Sequence, residues 1–305
     1  QQRRLHEPDY VALHCSSHCR TMLIGNDGGV FDRNEQPCWA FMQPPGGRGP
    51  MYAVTDDNVS VALGRLCFML GLHGPCASVD TACASALVVA QRGAYTITSD
   101  ECGAAVALAA SLKLAPHSKL GAALVGMLSV NGQCETLNAR AKGYVRSDSL
   151  GAVVIPWGDD DAVAAVMPMV FDSSSAEQDR QSASLMAPNG SVHHTLLLAA
   201  LERGVLSLAD EGMVELHCSD TPLGDPTKAG ALVAVRDRVQ QSAPLVVVAV
   251  KASAGYDEGA SGQVGILQAL CVAGAAAAVV GTTQIRPLNP LVGERLGGVA
   301  AHMLL

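Results

Sequence analysis

The stretch "SVDTACASALVVAQ", Ser78 to Gln91, sets Cys83 among small residues, just after an acidic residue and just before an apolar run. Reading "PCASV" as a strand ending near Asp80, and "ASALVVAQRGAY" as a helix, puts Cys83 at a sharp strand-to-helix turn. Unpaired N–H groups and the positive end of a helix dipole stabilise a thiolate there, and the thiolate is the nucleophile. Ala82, Ala84 and Ala86 let the turn be tight and keep the sulfur accessible, as the elbow of serine hydrolases does for its hydroxyl. A buried structural cysteine is the competing reading of this segment alone, because Cys is among the most buried residue types.

Other polar clusters point to chemistry less directly. "HCSSHC", His14 to Cys19, offers two His and two Cys at helical spacing. Zinc sites usually draw on two separated ligand pairs, so no metal is expected there. "GDDD", Gly158 to Asp161, lacks the ligand spacing of a calcium loop and reads as a solvated turn. His193 and His194 open a helix after "APNGSV", where a solvated or capping role is expected.

The elements that must position these residues follow from apolar runs. "TMLIG", "GAAVALAAS", "GAVVIP", "AVMPMVF", "GMVELH" and "PLVVVAVKAS" read as short buried strands bounded by Gly, Pro or Asp. Helices are expected at Asn58 to Leu70, Ala84 to Thr96, Val192 to Arg203 and Ser261 to Ala278. Alternation of the two predicts an α/β architecture with both sheet faces covered. "QPPGGRGP", Gln43 to Pro50, reads as a surface loop. The composition break at "WGDDDAVAA" divides the chain into an N-terminal half, 1–157, and a C-terminal half, 158–305.

Composition bounds the function. The chain has 305 residues, 49% hydrophobic and 16% charged, which fits a compact core rather than disorder. Aromatics are only 4%, so Ala, Val, Gly and Leu must fill that core. A net charge of −8 with scattered Lys and Arg argues against nucleic acid as a partner. Ten cysteines at irregular spacing fit reduced thiols in an intracellular compartment better than a disulfide scaffold. "VGILQALCVAGAAAAVVG", Val264 to Gly281, is near membrane-spanning length but Ala- and Gly-rich, and is expected to be a buried helix rather than a span. The chain opens on "QQRRLHEPDY" without Met, so it is expected to be a fragment of a longer one, with any targeting segment outside it.

Several segments, in order, resemble one family, the β-ketoacyl synthases, in particular the ketosynthase domains of polyketide and fatty-acid synthases. "ALGRLCFMLGLHGPCASVDTACASALVVA" resembles the segment leading into the family's nucleophile, with Cys83 at the acyl-accepting cysteine. "GMLSVNGQCETLNARAKGYVRSDSLGAVV" and "LMAPNG" are similar to the next signatures. "VELHCSDTPLGDP" resembles the segment of the first catalytic histidine, at His217, and "VKASAGYDEGASG" the segment of a lysine and the second histidine. "RLGGVAAHMLL" resembles the closing Gly-rich strand.

The resemblance implies a thiolase-like fold, two similar α/β halves in five α-β-α-β-α layers, whose first strands and helices would lie before Gln1. The nucleophile would come from the first half and the His-containing motifs from the second, with the site between them. The implied reaction has two stages. Cys83 takes an acyl group from a carrier thioester, and a decarboxylating malonyl thioester then condenses with it. An acyl carrier protein bearing phosphopantetheine is the implied partner, a homodimer the implied assembly, and neither metal nor nucleotide cofactor is called for. Backbone N–H groups of Cys83 and Leu296 are the implied oxyanion hole, although Leu296 stands where the family usually has Phe. Lys251 and Glu258 keep the family's charged positions, as a site-ordering network or an ordinary buried ion pair.

The departures fall on the site. Tyr256 occupies the second histidine's position, and a phenol can donate to an oxyanion but is larger and carries no positive charge. Ser219 and Thr221 can still hydrogen-bond a pantetheine arm, while Asp220 brings charge and bulk to a glycine position. Three alternatives therefore stand beside full condensation: a non-elongating ketosynthase that transfers or hydrolyses acyl groups, a non-catalytic structural partner subunit, and an unrelated α/β cysteine hydrolase using Cys83 and His217.

Overall fold

The computed structural model describes residues 10–15, 59–113, 116–156, 170–184, 187–206, 212–236, 245–274, 287–296 and 303–304. The chain separates into two compact units. The first gathers residues 1–125, 146–170 and 257–264, and the second 126–145, 171–256 and 265–305. The units are thus interleaved along the sequence. The expected cut after Trp157 lies outside the described residues, and it would not by itself separate 126–145 or 257–264 into the units that hold them.

A four-stranded sheet orders the first unit as β2-β1-β3-β4, with β1 at Tyr10–Cys15, β2 at Cys76–Val79, β3 at Ala104–Ser111 and β4 at Ser149–Pro156. Strand β1 runs parallel to β2 and β3, and β4 returns antiparallel to β3. The alanine-rich β3 is buried along nearly its whole length, which explains why it reads as a continuous apolar run. β4 alternates between more and less covered positions, as a strand with one packed face does. Helix α1, Val59–Leu70, precedes β2, and helix α2, Ser85–Thr98, follows it. The buried face of α2 comprises Ser85, Ala86, Val89, Ala90, Gly93, Thr96 and Ile97, a stripe at i, i+3, i+4 spacing. Helix α3, Pro116–Leu124, completes the described helices of this unit apart from the residues near 261.

The second unit has a parallel sheet, β5-β6-β7, formed by Met213–Glu215, Leu245–Val248 and Met303–Leu304. Its helices are α4, Gly190–Gly204; α5, Gly224–Arg236; the short α6, Lys251–Ala254; and α8, Pro290–Leu296. Helix α7, Ser261–Gly274, opens among first-unit residues and continues among those of the second. Leu137, Leu232, Val235, Leu245, Val247, Val292 and Leu296 form the centre of the core. Asn189 caps α4, its side-chain oxygen accepting the N–H groups of Ser191 and Val192 at 3.2 and 3.4 Å.

His14 and Cys15 lie on β1, so the local helical spacing expected of "HCSSHC" is replaced by a strand at its start; 16–19 lie outside the described residues. "TMLIG", "QPPGGRGP" and "GDDD" lie outside them as well. Of the long apolar run, α7 extends to Gly274 and the remainder is not described. Among the described residues no helix is long and apolar enough to cross a membrane.

One turn in the second unit leaves no room for a side chain. Gly143 has φ +112°, and a Cβ there would lie 2.4 Å from the Met127 carbonyl oxygen. Its N–H donates to the Asp220 carbonyl oxygen at 3.0 Å. Gly143→Ala is therefore expected to destabilise the protein by at least about 2 kcal/mol, measured by urea unfolding. Unchanged stability would show that the backbone relaxes freely around this turn.

Candidate active site

Cys83 occupies the middle of a 3-10 turn, Ala82–Ala84, between β2 and α2. Its thiol is free and only partly covered. The residue before it, Ala82, has φ +52°, an unusual conformation for a residue with a Cβ, and it reverses the chain direction between strand and helix. Ser85 stitches this turn from below. Its Oγ accepts the Thr81 N–H at 2.7 Å and the Thr81 hydroxyl at 3.2 Å, and donates to the Ala82 carbonyl at 2.6 Å. Asp80 contributes an Asx turn, its carboxylate accepting the Ala82 N–H at 3.1 Å. The left-handed residue is thus fixed on both sides, and Cys83 sits just before the start of α2.

His217 follows β5 in the second unit and is partly buried. Burial first, and then the charges of Lys251 and Lys228, hold its imidazole well below the usual histidine range, so it is neutral at pH 7 with one N–H to give. Tyr256 is buried, its ring edge-on to His217 with centroids 5.9 Å apart. Tyr144 packs on the same ring at 4.4 Å. The Tyr256 N–H donates to the Val145 carbonyl at 2.7 Å, so the segment 143–145 fastens both the Tyr256 turn and, through Gly143, the loop after His217.

That loop is shaped by acids. Asp225, at the start of α5, accepts the N–H groups of Ser219 at 3.1 Å and Leu137 at 3.2 Å. Asp220 adopts φ +56°, the left-handed conformation that explains why a glycine suits this position. Its carboxyl is fully buried, close to Thr136, Cys134, Asp225 and Lys251, and neither oxygen has a well-formed hydrogen bond among the described residues. Burial pushes it up from 3.8 to about 6, with the Asp225 charge adding to the rise. The charge and bulk that Asp220 brings to this position are buried. The Thr221 hydroxyl accepts the Gly224 N–H at 3.1 Å and so caps α5, a role additional to the pantetheine contact expected of it. Ser219 is partly exposed.

Lys251 opens α6 and is 2% exposed. Its charge acts on His217, Glu215, Asp220 and Cys134. Glu215, two residues before His217, accepts the Val250 N–H at 2.8 Å and thereby ties β5 to the start of α6. Glu258 belongs to the first unit, where Arg146 meets it at 2.6 Å and Lys113 at 3.2 Å. The partners of this carboxylate are thus cations that local sequence did not mark. Leu296 ends α8 with its side chain in the core. His193 approaches Asp179 at 3.5 Å rather than capping α4. Among the described residues no group of His, Cys, Asp and Glu forms a metal cluster.

Comparison with known proteins decides the lineage. Residues 23–159 match the model of the β-ketoacyl synthase N-terminal domain, and residues 169–279 that of its C-terminal domain. The chain belongs to the β-ketoacyl synthase family. It is 32% identical over 270 residues to the phenolphthiocerol synthesis polyketide synthase type I Pks15/1 of Mycobacterium bovis, covering 88% of this chain and 13% of that protein. Erythronolide synthase EryA2 of Saccharopolyspora erythraea is 31% identical over 274 residues, 88% of this chain and 8% of that one. Among solved structures, the oxazolomycin ketosynthase domain OzmH KS7 of Streptomyces albus superposes with a TM-score of 0.76 at 22% identity, over 96% of this chain and 47% of that one. The ketosynthase from module 6 of the bacillaene synthase of Bacillus subtilis 168 gives a TM-score of 0.74 at 22% identity, over 94% and 46%. The fold is the thiolase-like fold of ketosynthase domains, and the chain spans about half of the solved ones.

The raised Asp220 carboxyl has a consequence for this ketosynthase fold. The unfolded chain sheds the proton near 3.8 and the folded chain near 6, so stability falls as pH rises from about 4 to 6 and is level above. Asp220→Asn should remove this component and raise stability at pH 7 by about 2–3 kcal/mol, read from urea unfolding at pH 4.5 and 7. An equal effect of the substitution at both pH values would show that Asp220 titrates normally.

Proposed function

We propose that this chain is the condensing domain of a polyketide-type synthase that takes acyl groups onto Cys83. The observation that carries the reading is the presentation of a free, partly exposed thiol at the head of α2 by a strained, hydrogen-bonded turn. The Cys83 thiolate attacks the carbonyl of an acyl thioester, the N–H of Cys83 stabilises the tetrahedral oxyanion, and the carrier thiolate departs and takes up a proton. A phosphopantetheine arm on an acyl carrier protein is the donor proposed, with Ser219 and Thr221 as its hydrogen-bonding residues. A homodimer is the assembly proposed.

In the second stage a malonyl thioester loses carbon dioxide, its electron pair passes into an enolate, and the carbon attacks the acyl group on Cys83, freeing the thiolate. The enolate oxygen needs donors. Neutral His217 supplies one N–H, and the Tyr256 hydroxyl is proposed as the other, held by Tyr144 and Val145. Lys251 contributes charge nearby, while Glu258 orders the first unit through Arg146 and Lys113. A non-elongating acyltransferase is the second reading, and the buried phenol in place of an imidazole favours it.

Intact-protein mass after incubation with a panel of acyl-pantetheine thioesters should show an acyl adduct that Cys83→Ala abolishes. An adduct surviving in Cys83→Ala, or none in the folded native chain, would overturn acyl loading. Tyr256→His should raise malonyl decarboxylation by on the order of a hundredfold, as the gain of an imidazole donor predicts. A rate unchanged by that substitution would show that Tyr256 already serves as an adequate donor or that the second donor lies elsewhere.

A further inference from the structure

Cys67 and Cys76 lie nine positions apart, before and after a reversal of the chain. Cys67 is in the last turns of α1 and Cys76 is the first residue of β2. Gly71, at φ +68°, ends the helix, and the Leu72 N–H returns to the Cys67 carbonyl at 2.9 Å. The helix packs on the strand, which brings the Cys67 side chain beside that of Cys76. Cys67 is partly covered beside Leu63, Leu66, Leu72, Val106 and Leu108, whereas Cys76 is exposed. Both are free thiols.

We infer that Cys67 and Cys76 form an oxidisable dithiol site that closes to an intramolecular disulfide on meeting a small disulfide such as oxidised glutathione. The exposed partner reacts first. The Cys76 thiolate attacks one glutathione sulfur, the S–S bond breaks, and one glutathione leaves as a thiolate that takes up a proton. Cys67 then gives up its proton and attacks the Cys76 sulfur of the mixed disulfide, releasing the second glutathione. Two protein thiols are oxidised and one glutathione disulfide is reduced to two thiols, so atoms and electrons balance.

The environment orders these steps. The Cys67 thiol is pushed up to about 11, by burial first and then by the neighbouring Cys76 thiol. It is therefore the poorer attacker. Capping Cys76 with glutathione removes the neighbouring thiol that raises Cys67, so Cys67 becomes easier to deprotonate beside the bond it must attack. The ring so formed would tie α1 to the strand that leads, through Val79, into the Cys83 turn. This inference does not rest on the acyl-transfer reading.

The sequence supplies a clean readout. Trypsin releases Leu66 to Arg92 as one peptide, and Met69 is the sole methionine in it, so cyanogen bromide cuts between Cys67 and Cys76. After oxidised glutathione and alkylation, the full chain carrying Cys83→Ala should yield two pieces that stay joined until a reductant is added, with a whole-protein mass about 2 Da lower. Cys67→Ser should stop at a glutathione adduct on Cys76, and Cys76→Ser should give no joined pieces. Pieces that separate in the Cys83→Ala chain, or a stable glutathione adduct on Cys76 with Cys67 present, would overturn the inference. Circular dichroism of each variant keeps a folding defect distinct from a chemical one.

Discussion

The second unit depends on the Asp225 carboxylate. A charge that is 1% exposed is costly unless donors surround it, and here they are main-chain N–H groups from Ser219 and from Leu137, the latter 88 positions away. Satisfying Asp225 therefore fixes the loop after His217 against the 137 segment. From that point the rest follows. The loop's Asp220 turns left-handed, its carbonyl receives Gly143, and the next residues of the 143–145 segment brace the Tyr256 ring and backbone. The loop after His217 and the turn that carries Tyr256 are thus tied, through these bonds, to one buried carboxylate.

Electrostatics within this unit favour neutral donors over charged ones. Lys251 supplies a buried cation, and together with burial it holds His217 in the neutral form. A neutral imidazole has one N–H to give and one nitrogen to accept, which is the form the proposed enolate donor requires. Glu215 adds rigidity rather than charge chemistry. By accepting the Val250 N–H it joins the strand that carries His217 to the turn that carries Lys251.

Much of this was legible in the chain, and the limits were physical. β3, β4, β6, α1, α2 and α4 were visible because their apolar runs repeat at strand or helix spacing and end at polar or Gly-rich breaks. Helix α5 was hidden, since it opens on Gly-Asp-Pro directly after a loop motif, and its signal is a cap by Thr221 that only structure reveals. The site's Cys, His and Tyr stood out through ordered motifs. Their supports did not. Arg146 and Glu258 are 112 positions apart, and Asp225 reaches Leu137 across 88, so no local pattern could pair them. The burial of Asp220 was not legible, because residue type gives charge and volume but not where a side chain is placed.

Tyr256 stands where the family resemblance implies an imidazole, and its surroundings show how a phenol is held there. A phenol in place of an imidazole moves the donor farther from the backbone, and the structure answers with a brace: Tyr144 against one side of the ring, His217 edge-on to another, and Val145 holding the main chain. Packing of this kind fixes direction at little entropic cost, since a Tyr ring has two rotatable bonds to restrain. What it cannot restore is charge. An imidazole can become cationic as negative charge builds on the enolate, whereas a phenol offers only its dipole, and the deficit grows as the site excludes water. The loading stage proposed above makes no such demand, because its oxyanion would form at the Cys83 turn. On the reading proposed above, the phenol would separate the two stages energetically, with enolate stabilisation resting on His217, the Tyr256 dipole and the field of Lys251.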